Sequence, residues 1–543
     1  MLGKKGQIRD KDYRVWFEKH RPTEEILKKQ SDEKFLYTPV FSIVVPVYNT
    51  PEKFLEDMIL SVQKQSYGKW ELCIANADPS NKIVTALLRR YAEKDARIKL
   101  IDVPENLGIA QNTNAAISIA TGDYVGLLDH DDMLSPNALY EIAKCLNEQG
   151  MPEVIYTDED KITIDGKEHF QPNFKPEFNL DMLRANNYIC HFFVVKRALL
   201  NRVGGFRKEY NGAQDHDLIL RCVEKADGIV RIPKILYHWR MHRDSTAANP
   251  ESKRYAYFAG IRAIEAHLAR CGESGKAEFT DNMGFYRIKY QLFQKPFVSV
   301  IILNEKCRKI CVNILKKLSD EYGKDNIEFI VVDTAEKVRK SYLDNDNILI
   351  RYLVCEKKAG YADMINRGIE KAEGKYILLL SPFIKKVSEK YVEELVSNAE
   401  RNEVGVVGGK IYSTRGEIKS AGLILAGDGS VDFMFRGLHK ACRGYMNRQS
   451  MQQDLSAVTA ESMLFEKREW ENVGGFDKRF EGVCCDVEFC RKVRQNGKLV
   501  VFDPYAEAIT CKTKCYEKWG NMERDKDFSY NPNLGKNYSI KKE

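Results

Sequence analysis

Phe41-Ser42-Ile43-Val44-Val45-Pro46-Val47-Tyr48-Asn49 is an apolar, β-branched run that stops at a turn-forming asparagine. Such a run reads as a buried parallel strand. An echo of it stands much later in the chain, as Phe297-Val298-Ser299-Val300-Ile301-Ile302-Leu303-Asn304. Each run is followed by a helical pattern and then a second apolar run, Glu71-Leu72-Cys73-Ile74-Ala75 and Glu328-Phe329-Ile330-Val331-Val332. Strand–helix–strand alternation predicts an α/β domain built on a mainly parallel sheet.

The echo extends outward from these strands. Gly108 pairs with Gly360 and Asn114 with Asn366. Ala120-Thr121-Gly122-Asp123-Tyr124 pairs with Ala372-Glu373-Gly374-Lys375-Tyr376, and Val203-Gly204-Gly205-Phe206 with Val473-Gly474-Gly475-Phe476. A repeat this long is a whole domain and not a solenoid unit. The reading is a charged, helical extension over 1–39, a first domain over 40–271, a linker over 272–295, a second copy over 296–512 and a polar tail over 513–543. The linker opens on Gly272-Glu273-Ser274-Gly275 and ends on Lys295-Pro296, which is loop chemistry.

Composition narrows the function classes. With 543 residues, 43% hydrophobic and 30% charged, the chain has ample apolar material for more than one core and no bias toward disorder. The 85 basic and 78 acidic residues leave a net charge of +7, mild for this length. That charge permits weak docking on an anionic membrane surface. No basic stripe interleaved with aromatics points to nucleic acid. The 14 cysteines form no regular framework, their closest pairs being Cys484–Cys485, Cys307–Cys311 and Cys511–Cys515. A zinc ribbon or disulfide scaffold is not expected. Met1 to Gln30 holds no signal-like apolar core, and no run reaches transmembrane length. The expectation is a reduced, cytoplasmic protein, peripheral at most to the inner face of the membrane. Its oligomeric state is not set by the sequence.

The sharpest chemical signal is Leu127-Leu128-Asp129-His130-Asp131-Asp132, where a strand runs into three carboxylates. Clustered like charges repel, and a bound divalent cation explains them better than a solvated turn does. In α/β sheets ligands also bind outside the carboxyl ends of the strands. The competing reading is that Asp132 caps the helix after Pro136.

Taken in order, several motifs resemble the family-2 glycosyltransferases of the GT-A fold. They are Ser42 to Asn49, Asn106-Leu107-Gly108, Leu128 to Asp132, Tyr156-Thr157-Asp158-Glu159-Asp160-Lys161, Gly212-Ala213-Gln214-Asp215-His216-Asp217 and Ile232 to Arg240. The likeness is to the bacterial branch that builds O-antigens, capsules and wall rhamnans. It implies two tandem GT-A domains, Rossmann-like with a mixed, mainly parallel sheet. It also implies a nucleotide-sugar donor, UDP- or dTDP-linked, a lipid-linked or oligosaccharide acceptor, and Mg²⁺ or Mn²⁺.

The resemblance assigns roles to positions. Pro46, Val47 and Tyr48 cradle the nucleotide base, with Asn76 or Asp78 bonding it in place of the family's usual paired aspartates. Asn106, Gly108 and Asn114 belong to the donor side. Asp129 approaches the ribose, and Asp131 ligates the metal with His238, His242 being next in line. Arg240 either holds a diphosphate oxygen or makes a salt bridge. Asp215 is the catalytic base, with Asp217 the alternative. Asp158, Glu159 and Asp160 either line the acceptor side or form a turn. Direct displacement by an acceptor hydroxyl needs such a base, and the metal stabilises the departing diphosphate. A sugar nucleotidyltransferase would carry a Gly-rich basic loop after the first strand, where this chain has Pro46 to Pro51. A purely glycan-binding protein would have no use for the carboxylate set.

The second copy lacks this set. Its counterparts of Asp129, Asp131 and Asp132 are Ser381, Phe383 and Ile384, and Thr510 or Cys511 stands where the histidine is expected. Asp486 survives as a vestigial base, with Cys484, Cys485 and Cys511 nearby in the pattern. The second domain is expected to be catalytically silent, serving as a scaffold, an acceptor-binding surface or a dimer interface; the alternative is that both domains act on different linkages, with Lys385 and Lys386 replacing the cation in the second.

Overall fold

A computed structural model describes residues 7–242, 254–304, 312–334, 348, 350–425, 430–511, 527–535 and 538–541. The elements of the first half, in chain order, are α1 (Asp10–His20), α2 (Glu24–Asp32), β1 (Phe41–Val47), α3 (Glu52–Gln63), β2 (Trp70–Asn76), α4 (Lys82–Lys94), β3 (Ile98–Asp102), α5 (Ile109–Ser118), β4 (Tyr124–Leu127), β5 (Met133–Leu134), α6 (Ala138–Glu148), β6 (Val154–Ile162), β7 (His169–Asn173), α7 (Leu180–Ala185), β8 (Phe193–Lys196), α8 (Arg197–Val203), α9 (Gln214–Val223), β9 (Ile229–Arg240) and α10 (Arg254–Arg270).

Every residue of β1 is buried, as a strand covered on both faces requires. It lies parallel to β2 and β4, and the sheet runs β3-β2-β1-β4-β8-β6-β9-β5, with β7 paired to β6. The second half repeats this order strand for strand. It runs Ile350–Val354, Ile327–Asp333, Val298–Leu303, Tyr376–Leu380, Ser462–Glu466, Val404–Ser413, Leu499–Thr510, Ile384–Val387. The fold is two tandem α/β domains with mixed, mainly parallel sheets.

The motifs shared by the two halves have a structural cause. Ser42 Oγ donates to Glu71 Oε1 at 2.7 Å and accepts from the Gly122 N–H at 2.9 Å. Ser299 does the same with Glu328 at 2.6 Å and Gly374 at 2.8 Å. The glycine is needed because a Cβ at Gly122 would sit 2.5 Å from the Val40 carbonyl oxygen, and one at Gly374 would sit 2.5 Å from Ser299 N. Asn114 brackets Phe206, donating to its carbonyl and accepting from its N–H, both at 2.8 Å. Asn366 brackets Phe476 at 2.8 and 2.9 Å. Asn114, read from the sequence as a donor-side residue, is thus a clamp between α5 and the Gly-Gly-Phe turn in both copies.

The linker contains more order than its composition suggests. Gly275–Phe279 and Tyr286–Tyr290 pair as an antiparallel hairpin. The alternation Tyr286-Arg287-Ile288-Lys289-Tyr290 buries its apolar members, which is what a half-buried strand needs. Helix α1 lays Tyr13, Trp16 and Phe17 onto the seam between the halves, where they join a core that includes Phe174 and Tyr445. Across the same seam Arg401 makes a bidentate pair with Asp181 of α7, at 2.5 and 2.7 Å, with both side chains fully buried. Residues 512–526, where the polar tail begins, lie outside the described residues. Beyond them Asn531 is fully buried and donates to Asp158 Oδ2 and to the Lys175 carbonyl, each at 2.8 Å.

Candidate active site

The site is built at the carboxyl end of β4, where the chain turns through Leu128 to Asp132 beside the end of β9. The three carboxylates separate into three roles. Asp132 faces inward, fully buried, accepting from the Tyr237 hydroxyl at 2.6 Å and the Arg240 N–H at 2.7 Å. Burial, with the charges of Asp131 and Asp129, pushes its pKa well above the usual carboxylate range. It braces the loop against β9. Asp131 Oδ2 lies 2.7 Å from His242 Nε2, just past the end of β9. Asp129 is the most open of the three, its side chain 45% exposed, with Oδ2 3.6 Å from His191 Nε2.

His238 is turned away from this pair. Its Nδ1 lies 2.6 Å from Asp160 Oδ1, and His169 Nδ1 lies 2.7 Å from Asp160 Oδ2. The Tyr13 hydroxyl donates to the same carboxylate at 2.6 Å. The sequence reading joined Asp131 to His238, whereas the structure joins Asp131 to His242. The reason is register: His238 is paired across the sheet with Asp160 on β6, and the chain must pass beyond β9 to bring an imidazole round to Asp131. Besides Glu224, His267 and Cys271 at the ends of α9 and α10, two clusters near this loop carry metal-binding side-chain types. Asp160, His169 and His238 converge within ligand range of one another, but Asp160 already has three hydrogen-bonding partners. Asp131, His242 and the open carboxylate of Asp129 form a hard oxygen and imidazole set at the strand ends, which suits Mg²⁺ or Mn²⁺.

Arg240 has no free face. It is fully buried, its Nε on the Asp131 carbonyl at 2.8 Å, Nη1 on Ile164 O at 2.8 Å and Nη2 on Asp57 at 3.2 Å. It stacks over the Phe54 ring at 4.8 Å. Its placement is that of a brace under the carboxylate loop, not of a group open to a diphosphate.

Gln214 and Asp215 open α9. Asp215 is half-buried in the cleft wall, and Gln214 Nε2 donates to it at 3.2 Å. Burial, helped by the Asp129 charge and opposed by His191, raises its pKa to about 6. Asp217, the alternative base, is fully buried and held by Arg207 and by Arg221, whose Nη2 is 2.9 Å away. Two guanidiniums make it a structural ion pair and leave Asp215, half-buried and coupled to the Asp129 charge, as the carboxylate with no guanidinium bonded to it among the described residues.

At the nucleotide end, Pro46 and Val47 are buried in β1 and Tyr48 emerges from it, 48% exposed. Asn76 is buried and committed to Thr85 at 3.1 Å and Asp102 at 2.9 Å. Asp78, half-buried in the next turn, is the more open of the two base-binding candidates. Asn106 Oδ1 accepts from the Gly108 N–H at 3.0 Å and from Asn112 at 2.8 Å, shaping the turn into α5. Gly108 takes a positive φ of 88° there, against Asn211.

Asp158, Glu159 and Asp160 are neither an exposed turn nor an open lining. All three are buried in β6. Burial raises Asp158 to about 7. Burial also opposes the charge on Glu159, but the Lys175 ammonium and His191 outweigh it and hold its pKa at about 2. Sequence reasoning missed Lys175 and His191. The only signal for His191 was a single imidazole between apolar runs, Tyr188-Ile189-Cys190 and Phe192-Phe193-Val194.

In the second half the corresponding cleft is lined by Leu303, Tyr361, Leu380, Ser381, Pro382 and Glu461, among others. Asp486 is fully buried there, accepting from the Ala460 N–H at 2.9 Å and the Tyr361 hydroxyl at 3.2 Å. Lys385 and Lys386 are exposed on their strand. The described cysteines are free thiols, while Cys307, Cys311 and Cys515 lie outside the described residues.

The sequence model of Glycosyl transferase family 2 matches residues 42–204 and 298–446, once per copy and over more than half the chain. The chain belongs to glycosyl transferase family 2. This family-2 glycosyltransferase is 33% identical over 529 residues to an uncharacterised protein, y4gI, of Sinorhizobium fredii, a match covering 91% of this chain and 58% of that one. It is 30% identical over 496 residues to the O-antigen biosynthesis protein RfbC of Myxococcus xanthus, covering 90% of this chain and 39% of RfbC. The chain thus spans well under two thirds of either relative. Among solved structures, that of S. aureus TarS 1–349 in complex with UDP-GlcNAc is 21% identical, with a TM-score of 0.36, covering 42% of this chain and 66% of that one. Among the described residues, no helix is long and apolar enough to cross a membrane.

Proposed function

We propose that the first domain is an inverting, metal-dependent sugar transferase acting on a nucleotide-sugar, UDP- or dTDP-linked, and extending a lipid-linked or growing cell-surface glycan at the inner face of the membrane. One observation carries the reading: an open carboxylate and an imidazole-paired carboxylate, Asp129 and Asp131, stand at the strand ends, with the half-buried Asp215 electrostatically coupled to Asp129. The O-antigen role in RfbC's name supports a surface glycan as acceptor.

Asp215 accepts the acceptor hydroxyl proton as that oxygen attacks the anomeric carbon. The new glycosidic bond forms on the face opposite the breaking bond to the diphosphate, so the configuration inverts, as in single-displacement glycosidases. Asp131 and His242 would hold Mg²⁺ or Mn²⁺, which when bound stabilises the diphosphate charge. Tyr48 and Asp78 flank the nucleotide base, and Asp129 takes the ribose side. The second domain is catalytically silent and serves as a scaffold for the first. Its carboxylate loop has become Ser381 to Ile384, and its Asp486 is tied to Tyr361 and the Ala460 N–H. A nucleotide-sugar hydrolysis panel with Mg²⁺ and with Mn²⁺ tests the reading. Turnover of one donor by the wild-type chain and none by Asp131→Ala supports it, and full turnover by Asp131→Ala overturns the site.

A further inference from the structure

The duplication supplies a control inside one chain. What both copies keep serves the shared fold: the serine–glutamate–glycine lock and the asparagine clamp are present in each. What only the first copy has, in a buried network at its cleft, needs another explanation. Lys175 is fully buried, and its Nζ donates to Glu159 Oε2 at 3.2 Å, to the Ile189 carbonyl at 3.1 Å and to the His191 carbonyl. Glu159 accepts from the His191 N–H, and its Oε2 is 3.6 Å from His191 Nδ1. The His191 ring lies flat on Tyr237, with centroids 4.8 Å apart and planes at 16°. Its Nε2 then faces Asp129 at 3.6 Å. A lysine, a glutamate and an imidazole are thus stacked in series behind the open carboxylate of the site.

The second copy replaces this series. Along β6, Val154 faces Val195 as Val406 faces Phe465 in the second copy, so Glu159 corresponds to Ile411. Counted along the strand beside β4, where Gly126 faces Val194 and Leu378 faces Leu464, His191 corresponds to Glu461. The second sheet keeps the same strand order with these residues changed. The fold therefore requires neither Glu159 nor His191, and the copy that lacks Asp129 lacks both.

We propose that His191 is a positioning residue, held by Glu159 and Lys175, that orients the Asp129 carboxylate for the nucleoside-diphosphate end of the donor. This rests on the reading of the first domain given above. It acts through Asp129 and does not require His191 to touch the substrate.

The test measures binding of UDP and of dTDP, each with Mn²⁺, to the full-length chain by isothermal titration. His191→Gln removes the imidazole and keeps a polar side chain of similar reach, while Glu159→Gln loosens the imidazole from behind. Both are expected to weaken nucleotide binding about 10- to 100-fold, the range for groups that orient a ligating residue. Asp486→Asn, in the second domain, is expected to bind as wild type does. A purely structural His191 would lower the fraction of binding-competent protein and leave the dissociation constant unchanged, which titration stoichiometry separates. Wild-type dissociation constants in His191→Gln, or a reduced stoichiometry alone, overturn the inference. Absence of UDP and dTDP binding by the wild-type chain overturns the proposed function, and this inference with it.

Discussion

His242 Nε2 lies 2.7 Å from Asp131 Oδ2, while His238, four residues earlier, is 2.6 Å from Asp160. The two histidines should therefore separate experimentally. His242→Ala is expected to raise the Mn²⁺ concentration needed for half-maximal activity by at least about tenfold. His238→Ala is expected to leave that concentration unchanged and to lower the unfolding midpoint, because it strips a partner from the buried Asp160. Metal titration of activity, alongside thermal unfolding, checks both.

Asp215 and Asp486 occupy matching places but differ in their surroundings. Asp215→Asn removes the general base and is expected to lower transfer by about 10²- to 10⁴-fold. Asp486→Asn, in a cleft without the carboxylate pair, is expected to leave the rate unchanged. Steady-state rates of the two variants in the full-length chain decide whether one domain or two carry the chemistry.

The pH profile follows from the surroundings of Asp215. Burial first, and the Asp129 charge second, raise its pKa to about 6. A base must be deprotonated, so kcat/KM is expected to be level above that pH and to fall tenfold per unit below it. Replacing Asp129 with Asn removes a raising influence, so the residual activity should keep its plateau to a lower pH. A shift of the limb in the other direction would contradict the placement of the two carboxylates.

Asn366→Ala is expected to cost more stability than Asn114→Ala, because Asn366 Oδ1 also accepts from Trp470 Nε1 at 2.9 Å. Either Asn→Ala leaves a phenylalanine N–H and C=O without partners, at a cost of about 1–3 kcal/mol. Urea unfolding of each variant measures it. Losses in both variants, the larger in Asn366→Ala, would fit a clamp common to both copies with one added indole partner in the second.

Arg401 and Asp181 are fully buried and reach across the two domains. Arg401→Ala strands the carboxylate in the interior, where breaking a buried pair costs about 3–5 kcal/mol. The double variant Arg401→Met, Asp181→Leu should recover much of that loss, as removing both charges avoids the stranded one. Denaturant midpoints of the single and double variants test this.

The sequence by itself determined the class of fold and the duplication, and it pointed to one strand end as the candidate site. Fully apolar strands such as Phe41 to Val47 must be covered on both faces, and the same ordered motifs recur in two halves. Three carboxylates in four residues after an apolar strand also locate a site, since nothing in a bland turn repays their repulsion. Only the tertiary structure decided which carboxylate is buried, which is paired with an imidazole and which is open. Asp132 looked like its neighbours in the sequence, yet it is buried beneath Tyr237 and Arg240. Arg240 looked like a phosphate ligand, yet it is closed in by Asp57, Asp131 and Ile164. His191 and Lys175 carried no spacing signal, because their partners come from distant strands. Sequence periodicity reports which face of an element meets the core. Which charged group meets which depends on the register of β6, β8 and β9 and on the loop that brings His242 back to Asp131.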